Sequence, residues 1–115
     1  MIFIIEDDPI MARCLARAIG KVPTKMFSDV ISAINAIDDE LPDLIFLDIL
    51  LSGPDGFTFL NELISYSDTA RIPVVIVSSL DFQNRDLSIY GVVGTLNKDT
   101  MTPKDIQDYV KRYTH

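Results

Sequence analysis

The chain has 115 residues, 48% of them hydrophobic and 23% charged, which suits one domain with its own core and excludes a disordered chain. Its 10 Lys plus Arg against 17 Asp plus Glu give a formal net charge of -7, a surface that repels phosphate backbones and argues against direct nucleic-acid binding. The single cysteine, Cys14, excludes an internal disulfide and a cysteine zinc cage. No apolar run approaches the roughly 18 residues of a membrane span, and Met1 to Ile5 run straight into Glu6, Asp7 and Asp8, unlike a secretory signal. A soluble, cytoplasmic protein without membrane contact is the expectation.

Short apolar runs alternate with stretches of helical period. Ile2 to Ile5 form the first run. Asp8 can cap a helix and Pro9 suits its first turn, where a missing N–H costs nothing. Met11, Leu15, Ala18 and Ile19 follow at helical spacing, and Gly20 is a natural stop. Thr24 to Phe27 read as a more polar strand near an edge. Ser28 or Asp29 can cap the next helix, whose inner face is Val30, Ile34 and Ile37. Leu44 to Leu47 form a strand ending at Asp48, and Ser52-Gly53-Pro54-Asp55-Gly56 lead into a third helix with Phe59–Leu63 and Leu60–Ile64 pairs.

Val74 to Val77 form a fourth strand ending at Ser78 and Ser79. Leu80 to Tyr90 read as a short amphipathic helix closed by Gly91. Val92 to Leu96 form a fifth strand that runs to Asn97 and Lys98. Thr102 and Pro103 open a last helix with Ile106, Tyr109, Val110 and Tyr113 on one face. Five strands alternating with five helices predict an α/β fold, a doubly wound parallel sheet with helices on two faces. The runs IFII, LIFL and VVIV are apolar throughout, as a sheet covered on both faces requires.

In such a sheet, ligands bind beyond the carboxyl ends of the strands. The residues expected on that rim are Glu6, Asp7, Asp8, Asp48, Ser78, Ser79 and Lys98. Clustered carboxylates repel one another, and a hard divalent cation such as Mg²⁺ relieves the repulsion. A carboxylate touching that ion can attack phosphorus, while an ammonium and a hydroxyl stabilise the transferred group. No Walker-type loop or G-x-G-x-x-G turn is present, so another molecule must present the phosphoryl donor.

The segments IFIIEDDP, LIFLDILLSGPDGF, IPVVIVSS and LNK, in that order at successive strand ends, resemble the receiver domain of two-component response regulators, with a chemotaxis-regulator-like layout over residues 1–115. The resemblance implies a flavodoxin-like five-stranded sheet of order 2-1-3-4-5. It implies Asp48 as phosphoacceptor, with Ser78 and Lys98 contacting the phosphoryl group. It implies Mg²⁺ held by Asp7 directly, by Glu6 mainly through water, by Asp48 and by the backbone carbonyl of Leu50. The donor would be a sensor histidine kinase, a phosphotransfer protein or an acyl phosphate, and the recipient of the signal a downstream protein or output domain. Catalysis would be limited to self-phosphorylation.

Departures from the family pattern bear on the readout. Asp99 follows Lys98 where the family usually has proline, often after a cis bond; a cis bond before Asp99 would cost about 3 kcal/mol, so a trans turn that places Lys98 differently is expected. Thr95 stands where an aromatic switch residue is common. The stretch from Ser78 to Gly91 is about two residues short of the pattern, so the fourth helix is expected short or displaced. The last two changes fall on the face of the fourth helix, fifth strand and fifth helix, which in the family commonly carries output or dimerisation, so a homodimer there is a candidate. Leu50 and Leu80 are apolar and cannot orient an attacking water, which predicts slow loss of the phosphoryl group.

Competing readings are a degenerate receiver that binds proteins without phosphorylation, and a Mg²⁺-dependent phosphatase using Asp48 as transient nucleophile. The latter usually carries a second aspartate where Leu50 stands. Asp8 is expected as a cap only, Cys14 as a small core residue, Gly56 as a positive-φ loop position, and His115 as a frayed end. Tyr90 and Phe82 are expected to be buried.

Overall fold

Every strand pairs in parallel with its neighbours, in the order β2-β1-β3-β4-β5. The strands are β1 (Ile2–Ile5), β2 (Thr24–Phe27), β3 (Leu44–Leu47), β4 (Val74–Ser78) and β5 (Val92–Asn97). The helices are α1 (Pro9–Ile19), α2 (Val30–Asp39), α3 (Gly56–Ile64) and α4 (Pro103–Tyr113). These come from a computed structural model that describes residues 1–49, 56–79 and 87–114.

Side chains along each central strand alternate between two cores. Phe3, Ile5, Ile45, Leu47, Val74 and Ile76 face α2 and α3, where they meet Val30, Ile37, Phe59 and Leu63. Ile2, Ile4, Leu44, Phe46, Val75 and Val77 face α1 and α4, where they meet Leu15, Ile19, Ile106 and Val110. Strands covered on both faces have no polar side, which is why IFII, LIFL and VVIV carry no alternation. The more polar β2 lies on one edge.

The caps follow local chemistry. The Asp8 carboxylate accepts from Ile10 N–H at 2.9 Å, ahead of Pro9. The Asp29 side chain, rather than Ser28, caps α2 by accepting from Ser32 N–H at 2.7 Å. Thr102 and Asp105 form a reciprocal capping box at α4. Gly20 ends α1 at φ 80°, a backbone state that side chains disfavour.

Some expectations are corrected. Among the described residues there are four α-helices, not five; of the expected fourth helix, Leu80 and residues 81–86, Phe82 included, lie outside the described residues. What is described is a 3₁₀ turn, Ser88–Tyr90, closed by Gly91 at φ 80°. Tyr90 is half-buried and packs edge-on against Phe57. Cys14 is exposed, because the buried stripe of α1 passes through Ala12, Leu15 and Ile19. Gly56 does not have a positive φ; a Cβ there would lie 2.8 Å from the Cα of Ile49, so close approach of two backbone segments is what demands glycine. His115 lies outside the described residues.

β5 carries a register shift opposite Val74/Val75, which pairs Val75 with Gly94. A Cβ on Gly94 would fall on the phenol of Tyr109, 2.8 Å from its Cε1. The missing side chain is therefore the space that the α4 tyrosine occupies.

Candidate functional site

The strand order reverses at β1, which lies between β2 and β3. Chains leaving β1 and β3 turn to opposite faces there and open a crevice. Glu6 and Asp7 emerge from β1 and Asp48 from β3, held in register by Ile5–Leu47 pairing and by Asp48 N–H donating to the Ile5 carbonyl at 2.9 Å. One carboxylate oxygen from each of Glu6, Asp7 and Asp48 lies within 4.8 Å of the others. Glu6 and Asp48 are buried and Asp7 is exposed at the rim.

Lys98 arrives from the end of β5. Its backbone N–H donates to the Ser78 carbonyl at 3.0 Å. Its ammonium donates to Asp48 Oδ2 at 3.1 Å and lies 2.5 Å from Glu6 Oε1. The Lys98–Asp99 peptide is trans, since the described residues contain no cis bond. Asn97 turns the chain after Lys98: its side chain accepts from Asp99 N–H at 2.8 Å and its carbonyl from Met101 N–H at 2.8 Å.

The electrostatics are those of a crowded acidic pocket. Burial, reinforced by the neighbouring Asp48 carboxyl, raises the Glu6 carboxyl from 4.5 to about 7, against the opposing pull of Lys98. Burial disfavours the Lys98 ammonium, but Glu6 and Asp48 outweigh it and hold its pKa above the ordinary value. Neither Glu6 oxygen makes a well-directed hydrogen bond, despite the short approach of Lys98. Buried carboxylate oxygens without directed donors, as on Glu6, are costly, and Glu6 with the Asp7 and Asp48 carboxylates beside it suits a hard cation with oxygen ligands.

Ser78 is buried at the carboxyl end of β4, one strand from Asp48. Glu6, Asp7, Asp48 and Lys98 thus come together, with Ser78 on the same rim, while Leu50 lies outside the described residues. The contact that motif reading missed is Glu6 with Lys98. The sequence offered only a weak signal for it, an acidic residue continuous with a wholly buried strand.

Residues 2–111 match the family profile described as the response regulator receiver domain. The chain belongs to that family. As a receiver domain of two-component systems it is similar, at 30% identity over 107 residues and 86% of its length, to a protein-glutamate methylesterase/protein-glutamine glutaminase 2 of Pseudomonas syringae pv. tomato. The match spans 29% of that relative, so the chain covers less than a third of it. Among solved structures, the receiver domain of NtrX from Brucella abortus superposes with a TM-score of 0.84 at 25% identity, covering 98% of this chain and 97% of that one. The Mn(2+)-bound form of response regulator Rcp1 superposes with a TM-score of 0.71 at 25% identity, over 96% and 88% of the two chains. Among the described residues, no helix of this receiver is long and apolar enough to cross a membrane.

Proposed function

We propose that this receiver domain accepts a phosphoryl group on Asp48 from the phosphohistidine of a sensor histidine kinase or phosphotransfer protein, in a Mg²⁺-dependent reaction. The modified state then changes its contacts with a downstream protein or output domain. We read residues 1–115 as one such domain, working in the cytoplasm. The observation that carries the reading is the Lys98 ammonium held between Glu6 and Asp48 at the carboxyl end of the sheet.

The Asp48 carboxylate attacks phosphorus; the new P–O bond forms as the P–N bond to the donor histidine breaks, and the imidazole leaves with that electron pair. Glu6, Asp7 and Asp48, with the backbone carbonyl of Leu50, would hold Mg²⁺. Bound there, the ion neutralises charge on the transferring oxygens. The Mn(2+)-bound form of Rcp1 supports a divalent ion in this setting, as do the Glu6 oxygens that lack directed donors. Lys98, already paired with Asp48, follows the negative charge onto the phosphoryl oxygens. Ser78 supplies a hydroxyl donor to the same group.

No separate substrate is turned over; the reaction is self-modification. The degenerate reading is disfavoured, because acceptor, acidic pair and lysine are all present and the last reaches the first at 3.1 Å. Incubation with Mg²⁺ and acetyl phosphate, followed by intact-mass measurement, tests the proposal. A persistent phosphoryl adduct is expected, and its loss in Asp48→Asn. An unmodified mass, or an adduct that survives in Asp48→Asn, would overturn it.

A further inference from the structure

At the other pole of the sheet, where strands begin, the ends of α2 and α3 flank an open groove of about 360 Å³. Its floor includes Ile37, and a smaller adjoining recess adds Ile34 and Leu63. Its lip is apolar and open, with Tyr66 58% and Leu41 48% exposed. Asp38, Asp39, Glu40 and Asp68 line it, and Glu62 lines the recess. Among the described residues, only Glu40 of these carboxylates has a basic partner, Lys25 at 3.3 Å, and no Lys, Arg or His is among the described lining residues. These carboxylates are not gathered for a metal ion. Among the described residues the single cluster tight enough for one is Glu6–Asp7–Asp48.

We infer that the α2–α3 groove is a docking site for a cationic amphipathic helix of a partner protein. An apolar floor takes the apolar stripe of such a helix, and a rim of one sign selects Lys and Arg on its flanks. A groove bounded by helical ridges accepts a third helix through side chains spaced i, i+3 and i+4. Because it lies at the amino ends of the strands, remote from Asp48 at the carboxyl ends, occupancy does not block the acidic site. The docking therefore stands apart from the phosphorylation reading and would hold in either state of Asp48.

The probe is an acetylated, amidated Leu/Lys peptide of about 18 residues with Leu on one helical face, compared with a scrambled isomer of the same composition. Binding to the full chain is read by fluorescence anisotropy and mapped by amide chemical shifts. The expected result is shifts confined to the ends of α2 and α3. The scrambled isomer, Tyr66→Ala and the double variant Asp38→Lys/Asp39→Lys should each weaken binding by about tenfold or more, and Asp48→Asn should leave it unchanged. All these positions are solvent-facing except Asp48, and circular dichroism checks that each variant is folded. Equal affinity for the scrambled isomer would overturn the inference, as would shifts centred on α1, α4 or the acidic site. So would loss of binding in Asp48→Asn, or a concentration-dependent dimer that closes this groove.

Discussion

Raising the pH should destabilise the metal-free protein, with Glu6 as the cause. Its carboxyl stands at about 7 in the fold against an ordinary 4.5, chiefly because it is buried. The folded state therefore holds this proton more tightly than the unfolded chain does. For a carboxyl raised in this way, the stabilisation is full below the unfolded value and is lost as pH climbs through the folded one. Between pH 5 and pH 7.5 the difference amounts to about 2 kcal/mol, since one unit of pKa corresponds to about 1.4 kcal/mol. Urea denaturation in EDTA at the two pH values measures it. Glu6→Gln, which cannot ionise, should flatten the dependence, and Mg²⁺ should offset the loss at pH 7.5 by binding only the folded state. A wild-type stability that is level or rises over this interval, or a slope that persists in Glu6→Gln, would show that the buried Glu6 carboxyl is not the cause.

Further outcomes follow from particular contacts. Lys98→Met leaves Glu6 and Asp48 buried beside each other, and should lower stability by about 3 kcal/mol at pH 8 but less at pH 5, where Glu6 is protonated; denaturation at both pH values checks this. Gly56→Ala forces a Cβ to 2.8 Å from the Ile49 Cα, beside Asp48, and should cost about 1–3 kcal/mol and reduce the acetyl phosphate adduct. Gly94→Ala collides with the Tyr109 ring and should destabilise in the wild type and in Tyr109→Phe but not in Tyr109→Ala, a double-mutant cycle read by chemical denaturation. The phosphorylated protein should lose its adduct slowly, over minutes or longer rather than seconds, in an intact-mass time course; loss within seconds would contradict the role given to apolar Leu50 and Leu80.

The fold was largely legible because its signals are local. A strand buried on both faces is a continuous apolar run, so Ile2–Ile5 and Leu44–Leu47 have the expected bounds. Asp8, Pro9 and Gly20 act within a few residues of themselves and mark the ends of α1. Local signals failed where partners come from far along the chain. Helical spacing did not show that Cys14 would face outward, since that depends on which stripe of α1 meets the sheet. A glycine does not announce whether it is needed for φ or for proximity, and at Gly56 the answer came from Ile49 across a loop closure.

The order of elements and the kinds of groups that end each strand are set locally, because hydrophobic period and capping chemistry are properties of neighbouring residues. Tertiary structure decided the electrostatics. Only parallel pairing across β1, β3, β4 and β5 brings Glu6, Asp48 and Lys98 together and takes them out of water. Only there, with little solvent to screen it, does one charge govern the proton affinity of the next.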